Sequence, residues 1–476
     1  MADLLHQQLL RLENALSWVK TDPVDWKFYT QLFSLSITLF ESYLIMRQYP
    51  YFSKTTPPAA LEPHINGQDF DKSQIYGRDK ARFSFVSGLY RGALDQAILH
   101  YNLYPWAWEA AGKTLVHFGY GPEYEIPQSL VFCAIIYFIS SIPTIPLDIY
   151  QTFVLEAKHG FNKTTPGLFV TDILKSWLIG VGIGAPFLSG FLWLLRWAGD
   201  RFVPWLMTFL IGFQMSMIVL YPTVIQPLFN KLSPLAEGPL RTRIERLASS
   251  LNFPLTHLYE IDGSKRSAHS NAYFFGLPWS KHIVIYDTLI KQQSEEEVEA
   301  VLAHELGHWY YSHPSKLLLV SQLHIFAILA CYPVFRHSPL FVRSFDFSPQ
   351  VAANPPLIVS FLLYQIVLSP IESVVSLLMN SLTRRFEWQA DEFATQLSSK
   401  LAAEKLKLIP DVNTMGDRLG TALIAIHREN KATLWVDWLY STWHHSHPTL
   451  VERLKALEKL RRNADSASAA ASKKEL

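Results

Sequence analysis

Six long apolar stretches constrain the fold of this chain more than any other feature of its sequence. A transmembrane helix needs about 20 predominantly apolar residues to cross the hydrocarbon core of a bilayer. Hydrophobic residues make up 49% of the 476 residues and charged residues only 17%, which is too apolar a composition for a set of soluble domains. The sequence therefore predicts an all-α polytopic membrane protein, with spans at 28–46, 126–150, 176–195, 202–230, 317–335 and 351–383.

A seventh candidate span, residues 83–108, contains Arg91 and Asp95 one helical turn apart. These charges can neutralise each other in a membrane or face an aqueous interior, and an amphipathic surface helix is the alternative for this segment. Carboxylates also occur in three other apolar stretches, at Glu41, Asp148 and Glu372. Such residues face a bundle interior or a wet cavity, and a position near an interface is the alternative for each one. We therefore expect about seven transmembrane helices, the number of apolar stretches, with a wet chamber between them.

Seven spans place the two termini on opposite sides of the membrane. The segment 48–82, the loop containing Lys158 and Lys163, and the basic C-terminal region then share one side, which the positive-inside tendency makes cytosolic. We therefore expect a lumenal N-terminus and a cytosolic C-terminus. The sequon at Asn162 would face the cytosol and stay unglycosylated.

The net charge and the cysteine content exclude two classes of function. Lys and Arg number 42 against 41 Asp and Glu, so the net charge of +1 provides no basic field for nucleic acid. The only cysteines, Cys133 and Cys331, lie in apolar stretches, which excludes a disulfide framework and a cysteine zinc cluster. A metal site in this chain would need histidines and carboxylates.

Two polar regions interrupt the apolar stretches. The first, about 231–316, contains strand-like segments at 256–261 and 282–286 followed by a helix. The second begins at Arg384 and shows helical periodicity, and the Ala/Ser-rich segment after it is predicted to be a disordered tail, residues 464–476.

The motif with the clearest chemistry is H-E-x-x-H at His304, Glu305 and His308. On a helix, histidines at i and i+4 lie on one face, so both can bind one zinc ion while Glu305 reaches a metal-bound water. Ser294 and Glu297 form a capping-box pattern that predicts the start of this helix.

A hydrolytic zinc site needs a third protein ligand and an open position. Glu387 is the best candidate, because the last apolar stretch can return it to the side of the membrane on which His304 lies. Asp391 follows one turn later and can accept a hydrogen bond from a ligating histidine. A solvated helix face is the alternative for either carboxylate.

Two further segments have a functional and a structural interpretation. The run at His444, His445 and His447 cannot direct every ring to one ion on a regular backbone, so we predict a loop with one histidine reaching the site. The aromatic segment 271–276 resembles an edge strand that can pair with an extended peptide, and a buried strand is the alternative.

Six segments together resemble the type I CAAX prenyl protease family, integral-membrane zinc endopeptidases of the endoplasmic reticulum and inner nuclear membrane. The resemblance extends over nearly the whole chain. The segments are EAKHGFNKTT at 156–165, YPTVIQPLFNKLSPL at 221–235, KRSAHSNAYFFG at 265–276, HELGHW at 304–309, RRFEWQADEFA at 384–394 and SHPTLVERL at 446–454.

The resemblance implies a barrel of seven spans around a large water-filled chamber, closed on the cytosolic side by a zincin-like protease domain. It divides the chain into an N-terminal membrane region at 1–228, protease segments at 229–316 and 384–463, two spans at 317–383 and the tail at 464–476. His304, His308 and Glu387 would bind one Zn²⁺. The remaining implied site residues are Glu305 as catalytic base, His447 for the oxyanion, Asp391 and Arg453 as supports, and Asn271, Ala272, Tyr273, Phe274 and Phe275 as the substrate strand.

The implied reaction is hydrolysis after a farnesylated cysteine, which releases the C-terminal tripeptide of CAAX proteins and in some substrates is followed by an upstream cleavage. We expect a monomer in the endoplasmic reticulum membrane, with the inner nuclear membrane as a second location. Lys473 and Lys474 form a dilysine retrieval pattern, although the final four residues also resemble a lumenal K-D-E-L signal.

Two other functions remain open from the sequence. A site-two type intramembrane protease carries its H-E-x-x-H inside an apolar span, whereas four carboxylates precede the motif here, at Glu295, Glu296, Glu297 and Glu299. A transporter or scaffold with a silenced protease site is the alternative outside the proteases.

Overall fold

The computed structural model describes residues 2–406, 409 and 411–472, and most of these residues are helical. Lys473 and Lys474 lie outside the described residues. The longer helices are α1 (Ala2–Ala15), α2 (Trp26–Gln48), α3 (Gly67–His100), α4 (Leu103–His117), α5 (Glu125–Ser141), α6 (Pro166–Ala198), α7 (Phe202–Leu220), α8 (Pro239–Ser250), α9 (Glu295–Tyr310), α10 (His313–Arg336), α11 (Leu357–Thr395), α12 (Met415–Glu429) and α13 (Leu450–Ser472).

Shorter helical segments connect these helices. The short α-helices are Trp18–Thr21, Ile145–Tyr150, Gln226–Phe229, Asp287–Gln292, Pro339–Arg343, Pro349–Ala353, Leu397–Lys400, Ala403–Leu406 and Trp438–His444. Five 3-10 turns lie at Tyr49–Ser53, Ile142–Thr144, Gly199–Arg201, Gly263–Lys265 and Val412–Thr414, and π-helical segments lie at Gln151–Glu156 and Tyr221–Ile225.

Eight of the long helices form a closed ring. Each of α2 to α7 contacts the next along the chain, α7 contacts α10, α10 contacts α11, and α11 returns to contact α2. This ring is the barrel that the resemblance implied. In it, α11 lies between α10 and α2.

Four helical stretches among the described residues are long and apolar enough to cross a membrane. They are Glu125–Glu156, Pro166–Phe229, His313–Arg336 and Leu357–Thr395. The 64-residue stretch Pro166–Phe229 contains two of the expected spans, so these stretches account for five of the seven. Of the other two expected spans, one lies on α2 and the other on α3 and the start of α4, and α3 carries charged residues along its length.

Two predicted span boundaries are wrong. The segment 83–108 is not one helix, because α3 ends at His100 and Asn102 adopts a left-handed conformation (φ 55°) that breaks it from α4. The segment 351–383 is also interrupted, since α11 begins only at Leu357 after Pro356. Proline fixes its own φ and disfavours a helical residue before it, so the chain restarts its helix there.

Several ionisable side chains of the membrane region have partners on neighbouring helices. Arg91 lies 3.6 Å from Asp148, and not against Asp95 on its own helix as the one-turn spacing suggested. The Glu372 carboxylate on α11 lies 3.0 Å from the His324 ring on α10. Pairing of this kind reduces the free-energy cost of a charge within the hydrocarbon region.

A four-stranded sheet lies between the fourth and fifth apolar stretches. Its strands are β1 (Leu232–Pro234), β2 (Leu255–Ile261), β3 (Ala272–Leu277) and β4 (Ser280–Tyr286), in the spatial order β1-β2-β4-β3. β2 and β4 are parallel, and the other two pairs are antiparallel. The strands predicted at 256–261 and 282–286 are confirmed, and β3 lies at an edge of the sheet.

Helix α9 is central to the hydrophobic core that also contains the inner residues of the sheet. It contacts α8, α11 and α12, and α13 packs on α11 and α12. Val298, Leu302 and Leu306 on α9 are almost completely buried in this core.

The prediction of disorder from residue 464 is wrong as far as Ser472, because α13 continues to that residue. Alanine, which dominates this segment, has the highest intrinsic helix propensity.

Candidate metal centre

The H-E-x-x-H motif lies on α9, whose start and packing follow from the local sequence. The Ser294 hydroxyl accepts the Glu297 N–H, and the Glu297 carboxylate accepts the Ser294 N–H, which completes the predicted capping box. One turn of helix then separates His304 from His308, and their Nε2 atoms lie 3.2 Å apart. Two ring nitrogens at this separation need a shared partner between them, such as a proton or a metal ion.

Glu387 on α11 joins the two histidines from a distant part of the chain. Its Oε2 lies 3.3 Å from His304 Nε2, and its Oε1 lies 3.3 Å from His308 Nε2. Glu387 is buried, with 5% of its surface exposed. One ligating atom from each of the three residues lies within 4.8 Å of the others, so the predicted third residue is brought to the histidines.

These distances fit a tetrahedral metal ion. Bonds of about 2.0–2.1 Å to nitrogen and oxygen in a tetrahedron hold neighbouring ligand atoms about 3.3 Å apart. The two Nε2 atoms are 3.2 Å apart, and each of them lies 3.3 Å from one of the two Glu387 oxygens. Glu387 Oε2 is buried and has no hydrogen-bond partner among the described residues, as expected for an atom that binds an ion. The residues present therefore fit a metal ion with one open position.

Asp391 and Arg453 support this group from behind. Asp391 Oδ1 accepts a hydrogen bond from His304 Nδ1 at 2.9 Å, which directs Nε2 of that ring toward Glu387. Arg453 donates from Nε and Nη2 to the two oxygens of Asp391 at 2.9 and 2.6 Å. Both residues are buried, so this ion pair is shielded from water. Burial lowers the pKa of Arg453, but Asp391 outweighs it and the net shift is upward.

Glu305 and His447 both lie beside the three-residue group. Burial raises the pKa of the Glu305 carboxyl above its usual range, against the opposing effect of His304 and His308. A raised pKa suits a carboxylate that takes up and returns a proton near neutral pH. His447 Nε2 lies 3.3 Å from Glu387 Oε1, and 63% of the His447 side chain is exposed. Of the histidine run 444–447, His447 is therefore the member that reaches the group.

A cavity of about 470 Å³ connects the edge strand with the H-E-x-x-H helix. Its lining includes Tyr273, Phe274 and Phe275 of β3 together with Glu305 and His308. Ala272 and Asn271 do not line this cavity. Asn271 precedes the strand, and its Oδ1 accepts the Ala272 N–H at 2.8 Å. An extended chain that paired with β3 would pass directly beside Glu305.

His313 and Gln389 belong to this site and were missed by the sequence analysis. His313 Nδ1 lies 3.0 Å from His308 Nδ1, and its Nε2 lies 2.9 Å from Gln389 Oε1. The buried His313 ring also stacks on Phe386, with ring centroids 4.1 Å apart. His313 contacts Nδ1 of His308, just as Asp391 contacts Nδ1 of His304. Its signal in the sequence was its position five residues after His308, at the start of the next helix.

Comparisons with known proteins agree with this geometry. A family model described as the CAAX prenyl protease N-terminal region, five membrane helices, matches residues 48–231, and a model of peptidase family M48 matches residues 234–461. The chain is 38% identical over 427 residues to a CAAX prenyl protease 1 homolog of Oryza sativa subsp. japonica, covering 90% of this chain and 96% of that protein.

Other relatives and a solved structure show the same similarity. Identity to CAAX prenyl protease 1 of Saccharomyces cerevisiae is 38% over 449 residues, covering 91% of this chain and 96% of that protein. Identity to the Homo sapiens homolog is 35% over 470 residues, with coverage of 91% and 95%. The crystal structure of S. mikatae Ste24p superposes with a TM-score of 0.83 at 38% identity, covering 91% of this chain and 99% of that one.

Proposed function

Because this chain belongs to the CAAX prenyl protease 1 family, we propose that it is a zinc endopeptidase that removes the C-terminal aaX tripeptide from farnesylated CAAX proteins. One observation carries the proposal: His304, His308 and Glu387 converge with tetrahedral spacing, and Glu305 lines the cavity beside the free edge of β3. A chamber protein with a silenced site has no need to keep all four side chains in this arrangement.

Zinc is the metal that the donor set favours. Two imidazole nitrogens and one carboxylate are the ligands of hydrolytic zinc sites that retain an open position. When bound, zinc polarises the scissile carbonyl and makes a water molecule a better nucleophile at neutral pH. His304, His308 and Glu387 would hold it, Asp391 would orient His304, and Arg453 would orient Asp391.

The other side chains have separate tasks in the proposed reaction. Glu305 takes a proton from the attacking water and later donates it to the leaving amine of the tripeptide. His447 donates a hydrogen bond to the oxygen of the scissile carbonyl as negative charge develops on it. The substrate lies extended along Asn271 to Phe275, and hydrogen bonds with the main chain of β3 fix its register. Some substrates are then cleaved a second time upstream.

A membrane enzyme suits this substrate class. A farnesyl chain partitions into the bilayer, so a substrate protein and the enzyme meet at the same surface. We propose the endoplasmic reticulum membrane, and also the inner nuclear membrane, as the location of a monomeric enzyme with a lumenal N-terminus and a cytosolic C-terminus. Absence of glycan on Asn162 in a microsomal translation assay supports this orientation, and glycosylation there contradicts it.

The direct test is cleavage of a farnesylated peptide that ends in C-a-a-X by the purified protein in detergent. Wild type should release the tripeptide, whereas Glu305→Gln and wild type treated with a chelator should release none. Restoration of activity by added zinc shows that the chelator acted through the metal. A zinc-loaded wild type that releases nothing would favour the silenced chamber protein.

A further inference from the structure

A second cavity, of about 500 Å³, has His447 in its lining. It differs in chemical character from the first cavity, which is lined mainly by apolar side chains and is called the apolar cavity below. Its lining contains no carboxylate among the described residues, but it contains two lysines, Lys80 and Lys431. It also contains five histidines, which are His269, His427, His444, His445 and His447. Burial lowers the pKa of His427, His444, His445 and His447, so Lys80 and Lys431 supply the positive charge of this lining. A cavity with two ammonium groups and no carboxylate in its described lining, called the cationic cavity below, favours a negatively charged ligand.

The two lysines have no carboxylate partner within 4.0 Å in the part of the chain that the structure describes. Lys80 Nζ lies 5.1 Å from the centroid of the Tyr76 ring, and Lys431 Nζ lies 4.8 Å from the centroid of the Phe161 ring. Lys431 also donates to the carbonyl oxygen of His159. Both ammonium groups therefore keep hydrogen-bond donors for a ligand.

Two carboxylates close to these lysines, Glu156 and Asp79, are bound by other side chains. Glu156 accepts hydrogen bonds from the Tyr76 hydroxyl at 2.8 and 3.0 Å. Asp79 lies 2.7 Å from Lys158 Nζ and 2.9 Å from His159 Nε2. Neither carboxylate lines the cavity, so neither occupies the position that a ligand would take.

Both cavities border the candidate metal centre, the apolar one through Glu305 and His308 and the cationic one through His447. Tyr273 to Gly276 of the edge strand line the apolar cavity, and His269, ahead of the same strand, lines the cationic one. His447 joins the cationic cavity to the centre through its 3.3 Å contact with Glu387. A peptide bound at the centre would therefore have both an apolar space and a cationic space within reach.

We propose that the cationic cavity binds the free C-terminal carboxylate of the substrate, with Lys80 and Lys431 as its positively charged partners. This inference rests on the proposed function, because removal of a C-terminal tripeptide places a chain end about 10 Å from the cleaved bond. The apolar cavity then takes the side of the substrate that carries the prenylated cysteine. The enzyme would thus measure the distance from the chain end to the cleaved bond.

The test compares two farnesylated peptides that differ only at the C-terminus, one with a free acid and one with a carboxamide. Wild type should cleave the acid with a kcat/KM at least about tenfold higher, because hydrogen bonds between charged groups are lost in the amide. In the double variant Lys80→Met and Lys431→Met the acid-to-amide ratio should fall toward one. Methionine keeps the aliphatic stem and removes the charge.

Two matched variants show that the effect belongs to these charges. Lys80→Arg with Lys431→Arg should keep most of the preference for the acid, and Lys459→Met should keep all of it, since Lys459 lines neither cavity. Zinc content of each variant reports that the centre is intact. A wild type that cleaves acid and amide equally, or a double methionine variant with an unchanged ratio, overturns the inference and leaves the proposed function standing. Failure of wild type to cleave either peptide would contradict the proposed function itself.

Discussion

At the scale of single residues, Asp391 determines how His304 presents its ring to the metal position. Replacement by Asn keeps the size of the side chain but removes the charge that accepts from His304 and Arg453. We expect Asp391→Asn to lower zinc affinity by about 10- to 100-fold, the usual effect of losing such a partner. Competition with a chelator of known affinity measures it. Asp417→Asn, a change at an exposed carboxylate, is the control, and equal affinities in the two variants would contradict the assignment.

His304 makes metal binding dependent on pH. Burial lowers its pKa, but the neighbouring carboxylates of Asp391 and Glu387 outweigh burial and raise the pKa to about 9 in the metal-free protein. A ligating ring must be deprotonated, so below this pH the metal displaces a proton. Apparent zinc affinity should therefore fall about tenfold for each pH unit below about 9. An affinity that does not change between neutral pH and pH 9 would contradict this account.

The raised pKa of His304 also makes the stability of the metal-free protein depend on pH. The folded-state pKa of His304 lies above its usual value of 6.5, so the protonated ring stabilises the fold. That contribution is fully present below pH 6.5 and is lost as the pH rises through about 9. Zinc binding removes the proton and replaces this contribution with metal–ligand bonds.

At the scale of elements, close packing of α9 on α11 fixes the distance between the histidines and Glu387. A Cβ at Gly307 would lie 3.1 Å from the Ala390 Cα and 3.2 Å from the Phe393 Cβ. Gly307→Ala should therefore separate the two helices, lower the free energy of unfolding by about 1–3 kcal/mol and weaken zinc binding. Thermal unfolding and zinc titration measure both. The control is Gly212→Ala, where a Cβ meets open space, and equal effects would contradict the argument.

The free edge of β3 explains how a peptide can be held beside Glu305. The Tyr286 N–H donates to the Asn271 carbonyl, so alternate residues, including Tyr273, pair with β4, whereas Ala272 and Phe274 face the open edge. Phe274→Pro removes one outward N–H, and we expect kcat/KM to fall roughly two- to tenfold through KM.

Phe274→Leu serves as the control for this prediction, since it keeps the N–H and an apolar side chain. Zinc content should be unchanged in both variants. A normal kcat/KM in Phe274→Pro would show that the substrate does not pair with this part of the edge.

At the scale of the whole molecule, the features that could be predicted from the sequence are those that depend on the spacing of nearby residues. The histidine pair and the capping box follow from helix geometry, and both were predicted without any tertiary information. Glu387 was predicted because a two-histidine site needs a third ligand, although 79 positions separate it from His308.

Features that depend on packing between distant segments were not predictable in the same way. His313 supports His308 only because Gln389 and Phe386 on α11 hold its ring. The cationic cavity brings Lys80 of α3 next to Lys431, which follows α12, and no short-range pattern links them. The break at Asn102 was missed because a single left-handed residue leaves the hydropathy of the segment unchanged.

The central claim is that His304, His308 and Glu387 together bind the zinc ion used for peptide hydrolysis. Zinc content and tripeptide release measured on the same purified preparations test it most directly. We predict one zinc per chain and full activity in wild type, one zinc and no turnover in Glu305→Gln, and loss of both in Glu387→Ala. Stoichiometric zinc with normal turnover in Glu387→Ala would contradict the claim.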